Sequence, residues 1–376
     1  MKIVHLLLGK AKPDSLSGLN KVVHFLATEQ VRSGHDVEVW GLSKSSRAAD
    51  NDRVYSFRVF PMTRARFQLH PELRQALDGV APDSRVHMHG AFTPEFVTIS
   101  RELVRRGIRY GVSPHGAFVP GSLERHLLRK KSFIWLFDRR MLSQADVIHA
   151  VCVEEANAIR RIAPGSRVVV VPNGQDLKFL EGFVRVAADT ERPVFGFCGR
   201  LDTFTKGIDL LLQGFARYKR GAGRGVLWLV GDGEDRKNLE QTARSLGIAD
   251  HVQFLGARYG ADKLQNLANM DLFVLTSRRD VMPTSCLEAA AIGKPLLVSK
   301  ETNLGDYIGS FDCGIVLRNN RPDEIADAFK VFEAKFFANE LSRFARNSRA
   351  MIENELNWER VAARWTKEAY PEVCTP

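Results

Sequence analysis

Residues 278–299, RRDVMPTSCLEAAAIGKPLLVS, read as a loop, a helix, a stop and a strand. Pro283 at a first helical position, followed by the helix formers Cys286 to Ala291, predicts a helix starting near Pro283. Gly293 ends it, and Pro295 to Ser299 is a strand. The loop ahead follows another apolar strand, Asp271 to Thr276. Asp280 therefore sits in a loop at a strand's carboxyl end, and Glu288 about a turn into the next helix. Two readings are open. The acids favour the helix dipole, or they flank a helix start whose N–H groups hold an anion.

The chain has 376 residues, enough for two domains. Its 44% hydrophobic and 26% charged content is that of a soluble globular protein. No apolar run reaches the ~20 residues of a membrane helix, and the start reads as a strand rather than a signal peptide. Five scattered cysteines without a C-x-x-C pair point to a reducing cytoplasm and no structural zinc. No His/Cys/Asp/Glu cluster has metal-ligand spacing, and no D-x-D lies between strands. The net charge of +10 lies wholly in residues 1–175, which hold 26 Lys/Arg against 16 Asp/Glu. That half expects an acidic partner: an anionic membrane, a phosphorylated acceptor or nucleic acid. No RNA-module pattern accompanies it, so nucleic acid is not expected.

The first half alternates strands with helices, as a parallel sheet covered on both faces requires. Strands fall at 3–8, 36–40, 55–60, 85–89, 109–112, 147–151 and 168–171, with helices at 18–32, 71–78, 94–106, 122–143 and 153–162. The loop after the first strand lacks G-x-G-x-x-G, so a dinucleotide is not expected there. Gly18 opens the first helix, where a bare backbone lets a ligand approach; a glycine tolerated at a helix start fits equally. His115, between Pro114 and Gly116, lies at a strand's carboxyl end, where open α/β sheets bind ligands; an exposed loop histidine is the plain alternative. Residues 121–143 mix Arg125, Arg129, Lys130, Lys131, Arg139 and Arg140 with Phe133, Trp135 and Phe137. A helix basic on one face and aromatic on the other suits a membrane interface, and also a core-packed helix with a solvated face.

In the second half, strand Val194–Cys198 leads into Gly199-Arg200, then Lys206-Gly207 opening a helix. Two cations beside a helix start suit a diphosphate, Arg as a fork and Lys as a point charge; lone surface charges are the plain alternative. Strand Leu227 to Gly233 ends in a tight turn at Gly231-Asp232-Gly233 on the same sheet edge. Further strands fall at 252–256 and 313–317, with helices at 322–336, 338–353 and 358–370.

Taken together, D-x7-E (Asp280, Glu288), G-R…K-G (Gly199-Arg200, Lys206-Gly207), SPHG (113–116) and PNG (172–174) resemble glycosyltransferase family 4 (GT4), in its branch that builds bacterial surface polysaccharides. The resemblance covers nearly the whole chain. It departs at Asp280, where the family has Glu, at Val281, where it has Gly, and at Ser17-Gly18, where it has a Gly pair.

The resemblance implies a GT-B fold: two doubly wound Rossmann-like domains facing a cleft. Residues 1–175 plus a crossover helix in 357–376 would bind the acceptor, and 176–356 the nucleotide sugar, with Trp358 in the place of the family's crossover tryptophan. Arg200 and Lys206 would take the diphosphate, with Gly18, Gly231 and Asp232 nearby. Glu288 would take the ribose, Gln253 and Phe254 the base, and Asp280, Pro283, Thr284 and His115 the sugar. The implied reaction is retaining transfer from a nucleoside diphosphate sugar, UDP- or GDP-linked, to a glycan or lipid-linked acceptor. No cofactor or metal is implied. The place of action would be cytoplasmic, at the inner face of the cell membrane. A sugar-nucleotide epimerase on the same fold and a non-catalytic basic binder are the rival readings.

Overall fold

The computed structural model describes residues 2–13, 17–44, 53–124, 126–178, 182–183 and 191–373. Arg125, Cys374 and residues 179–181 and 184–190 lie outside them. The chain forms two units: residues 1–174 with 358–376, and residues 175–357.

The first unit holds a seven-stranded sheet: β1 (Lys2–Leu8), β2 (Asp36–Ser43), β3 (Ser56–Pro61), β4 (Arg85–His89), β5 (Tyr110–Ser113), β6 (Val147–Ala150) and β7 (Val168–Val170). Every pairing is parallel, in the order β3-β2-β1-β4-β5-β6-β7. All five residues of β4 are buried, because helices cover both faces of the sheet. One face packs Leu6, Trp40, Val86, Met88, Phe96 and Tyr110 into a core. On the other, helices Gly18–Arg32 and Trp358–Ala369 bury Val22, Phe25, Val361 and Trp365 against Ile3 and Val147. The Trp358 ring stacks on Phe25 at 6.2 Å.

The second unit holds six parallel strands: β8 (Val194–Cys198), β9 (Val226–Val230), β10 (Val252–Gly256), β11 (Leu272–Leu275), β12 (Leu296–Ser299) and β13 (Gly314–Leu317). Their order is β10-β9-β8-β11-β12-β13. Phe195 of β8 stacks on Phe329 at 4.5 Å beneath Phe215 and Tyr218. In both sheets the chain builds outward, then crosses back to pair the next strand beside the first. The reversal lies between β1 and β4, and between β8 and β11. In such sheets ligands bind at the carboxyl ends of strands flanking that point.

Three expectations need correcting. The helix expected over 122–143 is broken into Pro120–Leu123, Leu127–Phe133, a π-helical turn Ile134–Asp138 and Arg139–Ser143. His126 in the left-handed region (φ 63°) separates the first two. The wider turn also splits the aromatic face: Phe133 and Phe137 pack inward on Phe92 and Phe67, while Trp135 and Leu136 stand 73% and 53% exposed. Second, the helix expected at 338–353 starts at Leu341, because Asn339 (φ 59°) interrupts the backbone. Third, the helix does start near Pro283 as expected, at Thr284, but Pro283 is not its first helical residue. It is extended (ψ 123°) and caps Thr284–Ala291 from outside.

Candidate active site

At the reversal point of the second sheet, the loops leaving β8 and β11 are stitched together. Arg278 and Arg279 donate their backbone N–H groups to Thr205 O at 2.8 and 3.2 Å. The Arg278 guanidinium forks onto Asp209 at 2.6 and 2.7 Å, and Thr276 Oγ1 donates to Gly207 O at 3.0 Å. Gly207 itself is left-handed (φ 61°), and a Cβ there would lie 2.2 Å from Thr276 O. Only glycine fits that approach. It lets the short helix Thr203–Lys206, capped by Asp202, turn straight into helix Ile208–Arg220.

This turn carries Lys206 to Asp280, and the two form an ion pair with 18% and 15% of their side chains exposed. Asp280 also accepts from Ser277 Oγ (3.1 Å) and Val281 N (3.0 Å). The structure thus joins one expected phosphate cation to one expected sugar-binding acid. Pro283 is buried and Thr284 half-buried just beyond. Glu288, 7% exposed, pairs with Lys263 from helix Gly260–Asn269. Lys263 was not foreseen: it is a lone cation in a polar helix. The buried thiol of Cys286 sits within the field of Asp280, Lys206 and Glu288, and burial first, then Asp280, raises its pKa.

Arg200 is not joined to Lys206. Its side chain is 70% exposed and, among the described residues, pairs with Asp202 at 3.5 Å. Gly231 (φ 146°) presses on this loop so closely that a Cβ would meet Gly199 O at 1.8 Å. Asp232 is half-exposed and pairs with Arg236 at 3.6 Å. Gln253, exposed, and Phe254, half-buried, lie inside the edge strand β10 rather than at its end.

In the first unit, Gly18 is exposed at the start of its helix. His115 follows β5 with a left-handed backbone (φ 54°), as does Gly116 (φ 82°). Glu155 holds that loop by accepting from Gly116 N (2.5 Å) and Val151 N (3.0 Å). Burial pushes the Glu155 carboxyl up to about 7 against those two bonds.

Behind His115 stands a cluster that single-residue reading missed: His5 on β1, His87 and His89 on β4, and His149 on β6, all buried. Burial lowers every one, His5 and His149 to about 4 and His115 to about 3. His89, Ser113, His115 and His149 line a small cavity with Asn173 and Trp358.

Known proteins agree with this architecture. Residues 16–179 match the family described as Glycosyltransferase Family 4, and residues 181–351 that described as Glycosyl transferases group 1. EpsF of Bacillus subtilis (strain 168), which carries a glycosyltransferase name, is 28% identical over 238 residues, 60% of each chain. The lipopolysaccharide core biosynthesis glycosyltransferase LpsE of Rhizobium meliloti is 35% identical over 119 residues, 31% of this chain and 33% of LpsE. These alignments span less than two thirds of either relative. The crystal structure of Anabaena Alr3699/HepE in complex with UDP superposes with a TM-score of 0.74 at 18% identity, covering 98% of this chain and 99% of HepE. The chain therefore belongs to the GT-B glycosyltransferases, with a family 4 domain followed by a group 1 domain.

Proposed function

We propose that the protein transfers a sugar from a nucleoside diphosphate sugar to an acceptor hydroxyl, with retention at the anomeric carbon, in building a cell-surface polysaccharide or glycolipid. The observation that carries this reading is the Lys206–Asp280 pair at the carboxyl ends of β8 and β11. An entering diphosphate offers Lys206 a second anion. Arg200, largely exposed, is free to turn toward the same charge. Asp280, still held by Ser277 and Val281, then accepts from sugar hydroxyls. As the anomeric bond breaks, negative charge grows on the leaving diphosphate, and Lys206 and Arg200 stabilise it where it develops. The departing phosphate oxygen takes the acceptor's proton, so the chain itself need supply no base. Glu288 holds the ribose hydroxyls, and His115 hydrogen-bonds the transferring sugar.

The UDP bound by HepE supports a uridine donor. The lipopolysaccharide role in the name of LpsE supports a surface glycan or glycolipid acceptor. Exposed Leu128, Trp135 and Leu136 stand beside exposed Arg129, Lys131, Arg139 and Arg140, which favours contact with an anionic membrane carrying a lipid-linked acceptor. No helix among the described residues is long and apolar enough to cross a membrane.

The test supplies UDP- and GDP-sugars with lipid-linked and free glycan acceptors and reads the product's anomeric configuration by proton NMR. Acceptor-dependent product with the donor's configuration is expected. An inverted product, or an altered donor sugar made without acceptor, would refute the reading.

A further inference from the structure

The buried histidines form two hydrogen-bonded runs, and each starts from a backbone carbonyl that can only accept. In the first, His149 Nε2 lies 2.8 Å from Val171 O, so it carries a proton. Its Nδ1 is then an acceptor for Ser113 Oγ at 2.9 Å. Ser113, having donated, accepts from His87 Nε2 at 2.7 Å, and His87 Nδ1 accepts from Tyr370 Oη at 2.7 Å. Every member makes its bond in one direction only.

The second run reaches His115. Thr366 Oγ1 donates to Ala362 O at 2.9 Å and accepts from Gln30 Nε2 at 3.0 Å. Gln30 Oε1 lies 2.7 Å from His5 Nε2, which must donate. Turning the Gln30 amide over would surrender the bond to Ala362, so the network fixes the amide's orientation. His5 Nδ1 is then an acceptor for His89 Nε2 at 2.9 Å, and His89 Nδ1 for His115 Nε2 at 3.0 Å. Among the described residues the run has no member beyond His115, the one half-buried histidine of the five.

We propose that Gln30, His5 and His89 are positioning residues that lock His115 as its Nε2–H tautomer, so that Nδ1 presents a bare lone pair to a hydroxyl of the transferring sugar. The role of the lone pair rests on the transferase reading above; the tautomer does not. Polarity passes from one ring to the next because a neutral imidazole has one donor and one acceptor. Burial keeps the rings neutral, which preserves that alternation. An acceptor at Nδ1 selects a hydroxyl and rejects a carbonyl or an ether at the same place. Glu155, gripping Gly116 N, holds the left-handed loop that aims the ring.

The test is a long-range proton–nitrogen correlation spectrum of the full chain with 15N-labelled histidine, His115 being assigned by its loss in His115→Asn. The expected spectrum shows protonated Nε2 and bare Nδ1 at His115, His89 and His5. Gln30 Oε1 is the acceptor that holds His5 in this pattern. Gln30→Leu removes it and should mix the tautomers at all three rings and lower kcat about tenfold, with KM for the donor little changed. Protonated Nδ1 at His115 in the parent overturns the proposal, and that spectrum suffices if Gln30→Leu fails to fold. A folded Gln30→Leu with His115 unmoved, or with mixed tautomers and full kcat, overturns it equally. Absence of transfer in every variant, with the expected spectrum, would count against the transferase reading alone.

Discussion

Lys206 and Asp280 lie 74 positions apart in the chain and meet as one ion pair where the loops after β8 and β11 cross. The pair neutralises two charges the site needs separately. Lys206→Ala should lower kcat about 10²-fold, the scale for loss of one donor to developing charge, and should weaken binding of UDP itself. Asp280→Asn frees Lys206, so UDP binding should hold or tighten while kcat falls. Steady-state kinetics together with UDP titration separates the two. Equal loss of UDP affinity in both variants would contradict the division of labour.

Gly207→Ala should destabilise the protein by about 3 kcal/mol. A left-handed alanine costs roughly 1–2 kcal/mol, and the added Cβ would also strike Thr276 O. Gly34→Ala is the control: its φ is 86°, yet nothing lies within 4 Å of the added carbon, so only the backbone cost applies. Urea unfolding of both variants measures the difference.

Acid should destabilise the fold. Burial holds His5 and His149 near 4 instead of 6.5. The native state therefore binds fewer protons than the unfolded chain between those values. Their contribution is complete above pH 6.5 and is lost as pH falls toward 4. At about 1.4 kcal/mol per tenfold in proton affinity, each gives up about 3 kcal/mol. His87, His89 and His115 act in the same sense. Asp138 and Glu155, raised by burial to about 7, oppose them: their contribution is present at low pH and lost as pH rises through 7. Five groups outweigh two, so the unfolding free energy should fall between pH 7 and pH 5, and more steeply in Asp138→Asn. A flat or rising profile would contradict the neutral cluster.

Vesicles rich in anionic lipid should retain the protein in sedimentation, and zwitterionic vesicles should not. Leu128→Ser with Trp135→Ala removes apolar surface that is 82% and 73% exposed, and should weaken retention without lowering the melting temperature. Arg139→Gln with Arg140→Gln should weaken it most at low salt.

The sheets are legible in the sequence because buried parallel strands are unbroken apolar runs, as in Leu296–Ser299 or Val194–Cys198. Helix Arg236–Ser245 escapes such reading, since only Leu239 and Ala243 are buried along it. The π-helical turn at 134–138 leaves no mark in periodicity, yet it decides which aromatics face outward. At the site, Asp280 and Glu288 are recognisable by their spacing, whereas Lys263, Glu288's partner, is 25 positions away on a polar helix. The histidine runs were legible only as a group: IVHLL, RVHMH and VIHA each place histidine inside a buried strand, where a lone polar ring needs a partner. Their order along the runs depends on strand order, which local sequence does not carry.

Thermal shift against a panel of UDP-, GDP- and ADP-sugars, with Lys206→Ala and Glu288→Ala as controls, tests the donor site most directly, because a ligand of the native state raises apparent stability. A shift for one nucleotide family, lost in both variants, is the predicted result. No shift for any donor, with both variants indistinguishable from the parent, would contradict it.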